Sequence, residues 1–473
     1  MSSMKFMKNR IVKASMWYTA TEFFVKGLAF LTIPIYTRLL TTQDYGLASL
    51  YATWVSILTI IVGLSLNTSI TKAKYDYKNE YDNYVASIMS FSFIIFFCCL
   101  LLFILLRNIL EKLTGFNTWI LLFMLFQAYF TFVKTSLIAK FRVEYNYKKI
   151  SIISILINLF GVALSIFLIT SVFKEQSYLG KILGNGVLIV VFGMMFLIYM
   201  IRAGGGINVN KKYWKYALVL SLPLIFHSLS NLINAQFDRI IIDYYIDESA
   251  TGLYSFAYNV GMIITVLTYS LDQAWAPWVY EMLEKGRFTI IKSRAKIYRD
   301  FYTVAYTILL FLSPELIRIM ADQSYWESLV IIPYIFAGYY LSFMYTLEVK
   351  TEFFYKKTNL ISVGTVLSAT INILLNLIFV PKYGYVAAAA TTTISFFFLF
   401  VFHYLITSKL MKKVVYGFKF HFRSLLYMMV ITFYFVLFDE NLLIRIIGII
   451  VTIIIGYWSV SNKYKRLSKL EDE

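Results

Sequence analysis

About fourteen apolar stretches of membrane length follow one another along this 473-residue chain, parted by short polar breaks, and no other feature limits its fold as tightly. Lipid offers backbone amides and carbonyls no hydrogen-bond partners, so a spanning segment is either a helix of roughly 20 residues or a strand of a closed barrel. The long Leu, Ile and Phe runs lack the alternation of barrel strands and predict an all-α integral membrane protein. The helices centre near residues 25, 57, 95, 128, 160, 190, 229, 263, 309, 338, 370, 396, 430 and 450. With 59% hydrophobic and only 15% charged residues, the apolar surface exceeds what one water-soluble core can hide. The first stretch lacks a small-residue cleavage site and reads as a retained helix. Cys98 and Cys99 are adjacent inside an apolar run, which implies packing and neither a disulfide framework nor a metal site.

Lysine and arginine set the expected orientation. Basic segments begin with Lys5, Lys8, Arg10 and Lys13 and recur at 72–78, 140–149, 202–215, 285–299, 350–357, 409–423 and 463–469; together they hold 33 of the 44 basic residues. They fall on alternate breaks, so both termini are expected to be cytoplasmic. The net charge of +18 then expresses positive-inside bias and calls for no nucleic-acid partner. The breaks leave no room for a soluble catalytic domain. No phosphate-cradling G-x-x-x-x-G-K-[ST], H-E-x-x-H or C-x-x-C motif occurs, so neither ATP hydrolysis nor enzymatic activity, cofactor or metal is expected.

An internal repeat divides the chain. "YGLASLY" (45–51) and "TGLYSFAY" (251–258) align at an offset of 206, and "YLGKILG" (178–184) lies over "YVAAAAT" (385–391) at nearly the same offset. Two parallel six-helix lobes follow, 1–210 and 211–408, with two further helices and a tail at 409–473. Paired halves around a central cavity are the architecture of rocking secondary transporters.

Ionisable residues interrupt the apolar runs. On the first helix, within "YTATEFFVKGLAFLTIPIY" (18–36), Ser15, Thr19, Glu22 and Lys26 share one face at a 4, 3, 4 spacing. A charge at the bilayer centre costs about 2.5 to 3.5 kcal/mol, which directs such a face toward a bundle interior or a wet cavity. Two readings stand: Glu22 and Lys26 neutralise each other and lock the bundle, or Lys26 binds a substrate anion while Glu22 tunes it or carries a proton. His227, Asn231, Asn234 and Asp238 repeat the spacing on the seventh helix, with His227 a coupling candidate and the asparagines equally suited to interhelical packing. Arg38, Arg239 and Arg318 place guanidinium forks near outer helix ends, suited to phosphate oxygens or else held by Asp238 and Glu315 or snorkelling to headgroups. Lys134 and Glu348 read as snorkelling near inner ends. Asp272, with Gln273 and Pro277, is placed to line a gate.

Three stretches carry a resemblance: "LAFLTIPIYTRLLTTQDYGLASLY" (28–51), "NAQFDRIIIDYYIDESATGLYSFAYNVG" (234–261) and "NLIFVPKYGYVAAAATTT" (376–393). Together and in this order they resemble the polysaccharide flippases of the multidrug/oligosaccharidyl-lipid/polysaccharide (MOP) exporter superfamily. The resemblance implies two helical lobes around a cationic cavity in the bacterial cytoplasmic membrane. It implies movement of undecaprenyl-pyrophosphate-linked oligosaccharide to the outer leaflet for O-antigen, capsule or related exopolysaccharide, with an H+ or Na+ counter-ion and with polymerase and ligase partners. By position, Arg38 and Arg239 match cationic sites at the ends of the family's first and seventh helices; Glu22 beside Lys26 matches no family motif. The alternative is a multidrug or cation antiporter of the same superfamily, in which Glu22 and Asp238 bind substrate. A membrane glycosyltransferase would need sizeable extracytoplasmic loops, and a purely structural scaffold would not need so many polar groups within its spans.

Overall fold

Backbone groups with no external partners fold every apolar stretch into helix, and the described residues contain no strand. The computed structural model describes the backbone of residues 2–471 and the side chains of 13–461 apart from Ser15. Ser15 of the first polar stripe and the outermost terminal lysines and arginines therefore lie outside the described side chains. The chain forms two compact units, Met1–Leu232 and Ile233–Glu473.

The first unit contains α1 (Ser2–Leu39), α2 (Thr42–Gly63), α3 (Asn67–Asp76), α4 (Tyr81–Leu105), α5 (Arg107–Thr114), α6 (Thr118–Val143), α7 (Tyr147–Ser171) and α8 (Ser177–Ala203). The unit boundary falls inside α9 (Lys211–Gln236). The second unit continues with α10 (Asp238–Tyr245), α11 (Glu248–Glu284), α12 (Phe288–Phe311), α13 (Ser313–Met320), α14 (Ile332–Phe354), α15 (Thr358–Leu405), α16 (Phe418–Phe438) and α17 (Leu442–Glu471).

Among the described residues, 11 helices are long and apolar enough to span a membrane, and α12 with α13, bent by 46°, makes up to 12. Helix α15 holds two spans, because Pro381 has no N–H to donate and Gly384 turns the chain at φ 72°, ψ −164°. With α1, whose Glu22 and Lys26 lower its hydropathy, about fourteen spans result, as the sequence predicts. Short polar side chains start these helices: Thr41 accepts the Asp44 amide at 3.0 Å, Asn117 that of Ile120 at 3.1 Å and Asp247 that of Ala250 at 2.7 Å.

Small residues explain the repeated motif at 178–184. Gly180 and Gly184, four apart on α8, face the backbone of α7: a methyl at Gly184 would lie 2.4 Å from Ser165 Cα, and one at Gly180 2.7 Å from the Ile169 nitrogen. In the second unit the two arms of α15 are stitched by Asn372 donating to Thr392 Oγ1 at 2.9 Å and by Ser368 donating to the Ser395 carbonyl at 3.2 Å. Large apolar side chains such as Leu105, Leu443 and Ile454 stay 78%, 74% and 61% exposed, as lipid-facing residues do.

Several charges inside the helical bodies are paired. In the first unit Lys140 donates to Asp82 at 2.6 Å and to Glu144. In the second, Arg299 binds Asp300 at 2.6 Å, and Arg445, 1% exposed, grips both oxygens of Glu315 at 2.6 and 2.5 Å. Glu315 thus serves the distant Arg445, where its spacing from Arg318 had suggested a local pair.

Breaking a pair with one buried partner strands the other charge, at a cost of about 3 kcal/mol. Arg445→Leu is expected to lower the thermal unfolding temperature of the solubilised protein clearly, and Arg445→Leu with Glu315→Leu to recover most of the loss. A single variant as stable as the double would show the pair to be dispensable.

Candidate functional site

The residues singled out from the sequence are placed by α1, α9, α10, α11 and α13. Helix α1 buries Ala14, Thr21, Thr32, Ile33, Tyr36 and Thr37, and Thr21 donates to Ser151 on α7 at 2.6 Å. Glu22 and Lys26 lie off this stripe and form an ion pair of 3.0 Å, with side chains 44% and 33% exposed. Arg38, at the end of α1, donates to the Pro34 carbonyl at 2.8 Å and is exposed.

The stripe on the seventh span does not continue as one face. Helix α9 ends at Gln236, Phe237 forms a turn, and Asp238 starts α10. His227 Nε2 pairs with the amide of Asn231 at 3.1 Å, and Asn231 is exposed. Asn234 turns to α15, donating to the Thr365 carbonyl at 3.3 Å and accepting from Ser368 at 3.4 Å.

Asp238 is 2% exposed and is held by neutral donors: the Tyr254 hydroxyl, Thr392 Oγ1 at 2.6 Å and Asn376 Nδ2 at 2.7 Å. Thr391 donates to Asn376 Oδ1 at 2.7 Å, and Asn372 Oδ1, one helical turn away, has no hydrogen-bond partner. The result is a buried oxygen-rich pocket around one carboxylate. Asn372 and Asn376 were visible as two asparagines in the apolar run 371–380, but nothing local ties them to Asp238. The neighbouring Arg239 reaches the other way, donating to Ser255 Oγ at 3.0 Å and the Ala235 carbonyl at 3.1 Å, with its guanidinium 5.9 Å from the ring centres of Tyr254 and Tyr258. Asn234 and Asp238 thus both turn to α15, and Arg239 to α11.

Arg318 and Asp272 find other company. Arg318 is exposed, 5.7 Å from the Trp326 ring centre. Asp272 is tied to Lys350 at 2.7 Å. Glu348 does not snorkel: it is 1% exposed and bound to His421 and Thr407, because α16 and the turn after α15 cover this end of α14. In the same unit a cavity of about 470 Å³ opens between α12, α16 and α17, walled by Val304, Phe311, Val430, Ile447, Val451 and Ile455, with Asp300 and Ser459 at one end.

Residues 11–283 match the model of a family described as "Polysaccharide biosynthesis protein". The chain is 25% identical over 378 residues to "Lsg locus putative protein 1" of Haemophilus influenzae, covering 76% of this chain and 89% of that protein. Its fold superposes on "Lipid II flippase MurJ, inward closed conformation" with a TM-score of 0.74 at 17% identity, over 96% of this chain and 99% of that one. An inward-facing MATE-family multidrug transporter of the MOP superfamily gives 0.58 at 13% identity, over 82% and 96%.

Two outcomes follow from this geometry. Asp238→Ala leaves a hydroxyl, a threonine and an amide without their acceptor and is expected to destabilise the protein by about 2 kcal/mol, with Asp238→Asn closer to the parent; equal thermal stability of all three would refute it. Asp243 on α10 is half-buried, and burial with nearby Glu248 and Asp247 pushes its carboxyl up to about 6. The folded state then keeps a proton that the unfolded chain releases, so its stabilising contribution is full below about pH 4 and is lost as pH rises through about 6. Hydrogen exchange in 238–250 should quicken across that window, and Asp243→Asn should flatten the change.

Proposed function

The chain belongs to the polysaccharide biosynthesis protein family, and on that premise we propose that it flips lipid-linked oligosaccharide, carried on undecaprenyl pyrophosphate, from the inner to the outer leaflet of a bacterial cytoplasmic membrane. The product serves surface polysaccharide such as O-antigen, capsule or exopolysaccharide, and a polymerase and a ligase take it onward. Both termini are cytoplasmic in this reading. Transport proceeds by alternating access, with substrate favouring one arrangement only through contacts that differ between the two states.

The observation that carries the reading is the state of Arg239. Lys140, Arg299, Lys350 and Arg445 are each neutralised by a carboxylate. Arg239, by contrast, is held by a hydroxyl, a carbonyl and two tyrosine rings, while its neighbour Asp238 is taken by neutral donors. Its charge is left for a phosphate group, which a guanidinium fork matches bidentately. Lys26, Arg38 and Arg318 are the further cations of this reading, and Glu22 tunes Lys26. The apolar cavity beside α16 and α17 suits a stretch of polyprenyl tail, since apolar surface removed from competing contacts is what such a chain gains on binding.

Asp238, with Asn372, Asn376, Thr391 and Thr392 around it, is the coupling centre for an H+ or Na+ counter-ion, because hard cations take oxygen ligands and a buried carboxylate hydrogen-bonded by neutral donors favours a positive guest. His227, Asn231 and Asn234 are further coupling residues of this reading, and Asp272 acts as a gate through Lys350. The same buried carboxylate also supports the second reading, a multidrug or cation antiporter.

Arg239→Ala and Lys26→Ala are expected to stop polymer reaching the surface while leaving protein abundance in the membrane unchanged. Normal surface polymer from stable variants would remove these cations from the mechanism. Drug susceptibility that changes on deletion, with intact surface glycan, would favour the antiporter.

A further inference from the structure

The three histidines of the chain are not used alike. His403 and His421 are 0% and 3% exposed, and each meets a buried glutamate of α14. His403 Nδ1, from α15, lies 2.7 Å from Glu352 Oε1, and His421 Nε2, from α16, lies 2.7 Å from Glu348 Oε1. Glu348 and Glu352 are one turn apart and are 1% and 0% exposed. Thr407 donates to Glu348 Oε2 at 2.5 Å from within a π-helical turn, Ile406–Leu410, that closes α15. Such turns interrupt regular helix at a cost and recur where chemistry is done.

The surrounding groups add no cation to balance the two glutamates. Lys350 of α14 is given to Asp272 of α11, and Arg299 of α12 to Asp300. Tyr345 of α14, Tyr404 of α15 and Tyr416 of the following loop stand 4.9, 5.0 and 6.1 Å, ring to ring, from His403 or His421. Tyr298 of α12 stacks on Trp275 of α11, and Lys413 stands 5.1 Å from the Tyr355 ring centre. With both imidazoles neutral, the four groups carry two negative charges in a buried site, a costly state that one proton per pair removes.

Hydrogen bonding points the same way. Glu352 Oε2, His403 Nε2 and His421 Nδ1 are buried without a partner. A neutral His403 donating to Glu352 leaves Nε2 as an unused acceptor, and a cationic one leaves it as an unused donor. Neither protonation state satisfies every atom, so the site is not locked into one.

We propose that Glu348, Glu352, His403 and His421 form a proton-binding site that takes up one proton at each carboxylate–imidazole pair. In the charged form the two carboxylates repel one another across a helical turn and loosen the hold on His421 and Thr407. Proton uptake restores that hold, so the site sets how firmly α16 and the 406–417 segment are fixed to α14. Resting on the flippase reading, this is where a proton gradient bears on the second unit, separate from the centre at Asp238.

The test uses full-length protein with 15N-labelled histidine in lipid nanodiscs, titrated without substrate between about pH 5 and 8. The proton uptake read at His403 should change in Glu352→Gln and that read at His421 in Glu348→Gln, with the His227 signal the same in both. Where Glu348→Gln fails to fold, His421→Gln serves, read through the shift of His403. Imidazoles that hold one protonation state throughout, or that titrate unchanged beside glutamine, would overturn the proposal. Hydrogen exchange in 406–417, corrected for its intrinsic pH dependence, should quicken with rising pH in the parent and become level in Glu348→Gln with Glu352→Gln; a parent already level would overturn the link to α16. Since no substrate is present, this result is independent of whether Arg239→Ala stops surface polymer.

Discussion

A charge carried into the hydrocarbon region must be answered from within the protein, because lipid supplies neither counter-charge nor hydrogen bond. That constraint orders the polar interior of this chain. Lys140 is answered by Asp82 and Glu144, Arg445 by Glu315, Lys350 by Asp272, Arg299 by Asp300, and each buried histidine of the second unit by a glutamate. Against so complete a pairing the exceptions stand out. Lys181 rests over the rings of Tyr45 and Tyr36, at 3.8 and 4.9 Å; Arg239 is cradled by tyrosines; Asp238 has only neutral donors. Buried ion pairs contribute little net stability, since desolvation offsets their attraction. Their value here lies in fixing which helices meet.

Periodicity and composition disclosed the helical skeleton because the bilayer writes its thickness into the sequence directly. The break between the eleventh and twelfth spans was readable too, since Pro381 and Gly384 act locally. The small residues of "YLGKILG" stood out only as a repeat; the close approach of α7 that they permit was not read from them. The i,i+4 pair of Glu22 and Lys26 formed as spacing required.

What the sequence withheld were pairings of long range. Arg445 and Glu315 are 130 residues apart, and Asp238 binds side chains 138 and 154 residues away. No spacing rule reaches so far. Glu348 was misjudged for a related reason: its place near the end of an apolar run suggests access to the headgroups, but α16 and the 406–417 segment fold over that end and seal it. Asp238 was misjudged more mildly. A 4, 3, 4 pattern assumes one unbroken helix, and the turn at Phe237 swings the last member of the stripe into a different environment from Asn231.

Helix breaks and polar chemistry coincide in the second unit. Asp238 follows the turn between α9 and α10, its partners Asn376 and Thr392 flank the kink at Gly384, and Thr407 sits in the π turn beside the two glutamates. The coincidence has a cause. A regular helix satisfies its own backbone and turns side chains outward at fixed angles, whereas a break frees carbonyls and amides and lets neighbouring side chains converge from several directions. Breaks are also where a helix bends at least cost, so a proton or cation bound there changes the balance between alternative packings more than one bound mid-helix. Under the ion-coupled reading proposed above, a transporter gains from placing titratable groups at such points, and the clusters around Asp238 and around Glu348 and Glu352 both lie there.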